Sequence, residues 1–329
     1  MPENPTLGFG AAARLECSVR KDHMIEFVSR ISIVCFVASY VVALACEASR
    51  LAFRSGIRGA AMIGFASAGL CAHTLFLLWR AANESAVPLS SAFDWYLLAA
   101  WMLAAGYLWL TIANPRTPVG LFMLPVVLGL IGAAQLSSRE PFPQTPATQV
   151  WGAIHGGFIG SASVAVAIGA IAGLMWLIQA GRLARKQAPL QGFRMPSLEK
   201  LAVTTSRTLS IAAWTAAAGF LSGLVLNAVT HRAGLLETVP WTDSVVLRMG
   251  ALVAWLVSAE CISRLTCKRP GAASTAAGLS LVSFAVLTLS ILWGLFGVTR
   301  HGVPPPRPLP LHSQHVPATK DGLGGEVLP

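Results

Sequence analysis

The feature that most limits this chain is a series of apolar runs, each about twenty residues long. A helix rises about 1.5 Å per residue, so about 20 apolar residues cross about 30 Å of hydrocarbon. Lipid offers backbone N–H and C=O groups no water, and an α-helix bonds them within itself. The runs fall at about 27–47, 59–80, 94–113, 118–137, 150–180, 208–230, 244–263 and 276–299. They predict an all-α, polytopic membrane bundle of about eight transmembrane helices. Composition agrees. Only 12% of residues are charged, 54% are hydrophobic and the mean hydropathy is +0.63. A soluble domain carries about 25% charged residues, and half of that cannot cover a particle of this size.

Three regions follow from this pattern. Residues 1–24 form a polar N-terminal segment without the basic start, short apolar core and small-residue cleavage site of a signal peptide. The first apolar run is therefore read as an uncleaved span. Residues 25–301 hold the helical domain. Residues 302–329 begin with VPPPRPLP at 303–310, which predicts an extended, disordered tail. No internal repeat is evident.

Orientation follows from lysine and arginine in the connections. Those after runs one, three, five and seven hold thirteen: Arg50, Arg54, Arg58, Arg116, Arg182, Arg185, Lys186, Arg194, Lys200, Arg207, Arg264, Lys268 and Arg269. Those after runs two, four and six hold three: Arg80, Arg139 and Arg232. The first set is expected in the cytoplasm, with both termini outside, as in a protein of a cell's inner (cytoplasmic) membrane. The net charge of +10 then reflects loops facing anionic lipid, with no nucleic-acid partner implied. The tryptophans lie within or at the ends of apolar runs, as a bilayer favours.

Several chemistries are excluded by pattern. The six cysteines, Cys17, Cys35, Cys46, Cys71, Cys261 and Cys267, form no CxxC pair, so no disulfide framework, thiol redox motif or covalent c-type heme site is expected. There is no P-loop, HExxH, GxSxG or paired-carboxylate motif. The chain is not expected to be an enzyme by itself. No broken helix or inverted repeat favours a transporter.

The histidines carry the positive signal. His73 lies in the outer part of run two, His155 near the outer start of run five, His231 at the outer end of run six, and His301 just past run eight. Imidazole is a common axial ligand of heme iron, and two imidazoles on facing helices can clamp a heme. For each histidine the competing reading is an ordinary polar side chain at the membrane interface. Arg248, near the outer start of run seven, either snorkels outward or holds an anion such as a propionate. Glu260 with Arg264 four residues on reads as a snorkelling ion pair, with a proton relay as the sharper alternative. Gly156, Gly157, Gly160, Gly169 and Gly173 predict close helix packing in run five.

The order of motifs resembles a known family. Residues 86–96, AVPLSSAFDWY, followed by Ala100, Trp101 and the run to Trp109, are similar to the "P-L-S-N-x-Y-E-S-L-x-F-x-x-W" stretch of the CcsA-type cytochrome c assembly proteins. GLFMLP at 120–125 resembles the family's next span, WGAIH at 151–155 its "W-L-x-I-H" motif, and PSLEKL at 196–201 its "P-S-L-E-x-L" element. Gly219, Phe220 and Gly223 match its glycine-rich span, and GVTRH at 297–301 sits where the family has its last characteristic histidine. The resemblance runs from about residue 59 to 301.

The resemblance implies heme handling. Members of that family work with a CcsB/ResB-type membrane partner and present heme at the outer face for attachment to apocytochrome c. Two outer histidines flank a tryptophan-rich loop and hold heme there; by position they are His155 and His301. Trp241 would supply a flat apolar contact, Arg248 a propionate partner, and His73 and His231 are further candidates. Here the tryptophan-rich loop is reduced to Trp241 and Asp243, and Ser263 stands where the family has a further histidine. That pattern also fits the HemX-like branch, a membrane scaffold or regulator of heme biosynthesis. In that case the basic stretch 181–207 would dock a soluble partner or lipid.

Overall fold

The computed structural model describes residues 33–49, 56–83, 91–113, 117–140, 146–186, 195–232 and 242–296. Trp241, His301 and both terminal regions lie outside the described residues. Within these residues α-helix is the only extended regular structure, as the apolar runs predict. In chain order the helices are α1 (Ile33–Ser49), α2 (Gly56–Asn83), α3 (Ala92–Ala113), α4 (Gly120–Leu136), α5 (Pro146–Ala184), α6 (Leu198–Arg232), α7 (Ser244–Thr266) and α8 (Ala272–Phe296).

Six of them are long and apolar enough to cross a membrane: α2, α3, α5, α6, α7 and α8. By length and composition the chain is a multi-pass membrane protein. The other two, α1 and α4, are apolar but shorter. The 17 residues of α4 span about 25 Å, the lower limit for a crossing. Among the described residues the long spans are thus six, and α1 is described only from Ile33, inside the apolar run that begins at about residue 27.

The helix ends sort into two sets. Arg80 near the end of α2 meets Asp94 at the start of α3, 2.7 Å apart. The Phe93 N–H donates to the Ser138 carbonyl just past α4 (3.2 Å). Arg248 in the first turns of α7 reaches Ser290 late in α8 (3.1 Å). These contacts lie at the arginine-poor end of the bundle. At the basic end, Glu47 late in α1 is fully buried where Tyr107 of α3 and Gly120 of α4 meet. Neighbouring helices therefore run antiparallel.

The central helix is α5, which packs on α6 along much of its length and also on α8, α3 and α4. Small residues permit this. A Cβ on Gly173 would stand 3.0 Å from the carbonyl oxygen of Ala277, so α5 and α8 touch backbone to backbone. Two apolar cores lie on either side. Phe36, Tyr40, Phe76, Phe93, Leu103 and Met123 centre the core of α1 to α4 with part of α5. Ala162, Val166, Ala212, Leu252, Leu256 and Leu287 centre that of α5 to α8.

Local signals explain two boundaries. The Ser197 hydroxyl accepts from the Lys200 N–H (3.3 Å), so α6 starts at Leu198, earlier than its apolar run. Lys200 and Arg207 therefore ride on a helix, while residues 187–194 of the basic stretch 181–207 lie outside the described residues. Asp243 caps α7, accepting from the Val245 N–H at 2.8 Å. Asp243 thus has an ordinary structural role.

Candidate functional site

At the arginine-poor end, His155 is held between α5 and α6. This residue lies in the third turn of α5, half-buried against the last third of α6. Its Nδ1 is 2.8 Å from the carbonyl oxygen of Gly219. A carbonyl can only accept, so Nδ1 carries the proton and donates. In the neutral ring Nε2 then holds the lone pair. The Ser222 hydroxyl donates to the same carbonyl (2.7 Å) and stands 3.5 Å from Nδ1.

Glycine shapes the slot that holds the ring. A Cβ on Gly223 would come within 2.9 Å of the imidazole Cε1 and 3.0 Å of Nδ1. Gly223 thus leaves the space that the ring fills, while a Cβ on Gly219, one turn earlier, would stand 2.7 Å from Cδ1 of Ile159. On the other flank, Trp95 of α3 lies across Gly156, where a Cβ would fall 2.3 Å from its Cζ2. The residue after His155 must therefore be glycine for the indole to rest there. One turn below, a cavity of about 20 Å³ is lined by Ile159, Ala162, Val166, Met249 and Leu252, among others. It has room for about one small group and none for a macrocycle.

Arg248 stands at the same end. Its Nε donates to the Ser244 carbonyl (2.9 Å) and its Nη1 to the Ser290 carbonyl (3.1 Å). The cation thus bridges the first turn of its own helix to one carbonyl near the C-terminal end of α8, where the helix dipole favours positive charge. Two of its five N–H donors are used this way.

The remaining candidates are placed elsewhere. His73 is fully buried in the α1–α2 core, stacked on Phe36 with ring centroids 4.3 Å apart. The Tyr40 hydroxyl is 3.4 Å from its Nδ1, and its Nε2 has no partner among the described residues. It packs in a different core from the one beside His155. His231 is exposed in the last turn of α6, as an interfacial residue would be. Among the described residues no three His, Cys, Asp or Glu side chains gather as a metal site.

Two features of this end were not evident from the sequence. One is the slot itself. Its signal is glycine at four-residue spacing on both helices, Gly156 and Gly160 on α5 and Gly219 and Gly223 on α6. The other is the buried Arg80–Asp94 pair, with side chains 10% and 7% exposed. Ser91 donates to Asp94 (2.7 Å), and Arg80 and Arg139 each lie about 5 Å from the Phe93 ring centroid (4.8 and 4.9 Å). No family model matches the chain, and no curated protein and no solved structure matches it.

Proposed function

We propose that this chain is a heme-handling membrane protein acting in cytochrome c maturation, with His155 offering an axial ligand at the arginine-poor, outer face. The observation that carries this reading is the His155 tautomer. Histidines that ligate metals commonly donate their other N–H to a carbonyl or carboxylate, which fixes the ring and aims the lone pair. The Gly219 carbonyl does this for His155 at 2.8 Å. The sequence resemblance to the CcsA/HemX-type assembly proteins supports the same residue, and supplies His301 as the second ligand and Trp241 as a flat contact.

The chain's own residues would bind and orient. His155 offers Nε2, Gly219 and Ser222 hold its ring, and the unused N–H donors of Arg248 suit a carboxylate such as a propionate. In this reading heme sits at the mouth of the helices, since the 20 Å³ cavity below His155 is too small for it. Thioether formation belongs to the heme vinyl groups and the apocytochrome thiols. In this reading α1 and α4 also cross, making eight crossings of an inner (cytoplasmic) membrane with both termini outside. A CcsB/ResB-type membrane protein and apocytochrome c are the partners.

The test is the spectrum of the detergent-purified protein. A Soret band lost in His155→Ala and in His301→Ala is expected. Protein that is heme-free, and fails to take up added heme, would remove the reading.

A second reading is a HemX-like scaffold or regulator of heme biosynthesis. It is favoured by the tight glycine packing of α5 on α6, which leaves little space beside His155. Deletion separates the two. Loss of c-type cytochromes supports the first, and altered heme synthesis with normal cytochromes supports the second.

A further inference from the structure

The basic end holds a second unusual group, Glu260 near the C-terminal end of α7. It is 6% exposed, between the buried residues Ala259 and Ser263 of its own helix. Its Oε1 accepts twice, from the Ser210 hydroxyl of α6 and from Nε of Arg264, both at 2.5 Å. Its Oε2 is buried and has no donor among the described residues. A permanently ionised carboxylate spreads its charge over both oxygens and is stable in an apolar site only when both are satisfied. Here both donors converge on one oxygen and the other is sealed and bare.

We infer that Glu260 is a proton-binding site, taking up a proton on Oε2 from water at the basic end and returning it there. Protonation at Oε2 breaks no existing bond, because Oε1 continues to accept from Ser210 and Arg264. One O–H bond forms, the carboxylate charge is neutralised, and no other bond changes. A proton also needs no cavity, which suits the close packing around Ala259. The guanidinium that balances the charge is 64% exposed and lies in the last turn of α7, the side from which a proton would arrive.

Among the described residues Arg264 is the charge that governs this equilibrium. On α7 the neighbouring Cys261 is exposed. On α6 the group facing Glu260 is the Ser210 hydroxyl, and Arg207, one turn earlier, is exposed. The third helix of the packing, α8, carries no titratable residue anywhere along its length. The site lies at the opposite end from His155 and is independent of the heme reading.

Dicyclohexylcarbodiimide tests it, because this apolar reagent labels protonated carboxyl groups in apolar surroundings. The full-length protein in its membranes is treated across a range of pH and the adduct mapped by mass spectrometry. Glu260 should be labelled, with labelling falling as the pH rises, and Glu260→Gln should remove that adduct. Arg264→Gln should raise labelling by up to about tenfold where the carboxylate form dominates, because an adjacent cation favours the charged form. Wild-type protein left unlabelled at Glu260 at every pH would overturn the proposal. So would equal labelling by a water-soluble carbodiimide, or labelling that Arg264→Gln leaves unchanged. The wild-type profile needs no variant to fold.

Discussion

The Nδ1 atom of His155 and the carbonyl oxygen of Gly219 stand 2.8 Å apart across the α5–α6 interface. That contact joins a side chain of one helix to the backbone of another, so the ring's direction depends on how closely the helices approach. Gly223 sets the limit. In Gly223→Val the new side chain enters space held by a rigid ring, at 2.9 Å from Cε1 for the Cβ alone. A stability loss of about 1–3 kcal/mol is expected from overpacking. Thermal unfolding in detergent measures it, and heme uptake should fall with it. Ser222→Ala, which leaves the Gly219 bond in place, should cost about 1 kcal/mol and keep uptake.

Trp95 and Gly156 should behave as a coupled pair. Gly156→Ala puts a Cβ 2.3 Å from the indole Cζ2, so the ring has to leave its position. The single variant should lose about 1–3 kcal/mol. Adding Trp95→Leu should restore part of the loss, with a coupling energy of about 0.5–3 kcal/mol in a double-mutant cycle. Strict additivity of the two changes would contradict the contact.

The Arg80–Asp94 pair is expected to be costly to break and cheap to replace. Its side chains are 10% and 7% exposed, so removing Arg80 leaves the buried Asp94 carboxylate without its counter-charge. Asp94→Leu or Arg80→Leu alone should destabilise by about 3–5 kcal/mol. The double variant, which leaves no charge behind, should be more stable than either single one. Unfolding midpoints of the three proteins check the order.

Cys267 reports on the sidedness of the bundle. It is exposed in the turn after α7, among Arg264, Lys268 and Arg269. With the basic end in the cytoplasm, a membrane-impermeant maleimide should miss Cys267 in intact cells and label it after permeabilisation. A cysteine placed at Arg139 should be labelled in both. The reverse pattern would invert the orientation.

What could be read from the sequence was what depends on local pattern. Runs of apolar residues located every helix from α1 to α8, because lipid leaves a spanning backbone little choice. Boundaries shifted where a polar residue performs a capping role. Ser197 starts α6 early, and the charged Lys200 and Arg207 that resemble a loop in composition prove to be helical. Six long spans stand out among the described residues because α4 is apolar yet short and α1 is described only from Ile33 onward. His155 was visible as a candidate, but its tautomer was not, since Gly219 lies 64 residues away and meets it only through packing. His73 illustrates the opposite case. Its place in a run says nothing of the aromatic rings of Phe36 and Tyr40 that enclose it. The Glu260–Arg264 pair was legible from its four-residue spacing, whereas the contribution of Ser210 and the bare Oε2 required the fold.

The most direct measurement of the central claim is the absorption spectrum of His155→Gly protein with and without free imidazole. The glycine variant should lose the heme Soret band of the wild-type protein, and imidazole, by filling the vacated slot with its nitrogen toward the iron, should restore it. A variant that keeps an unchanged band without imidazole would contradict His155 as the ligand.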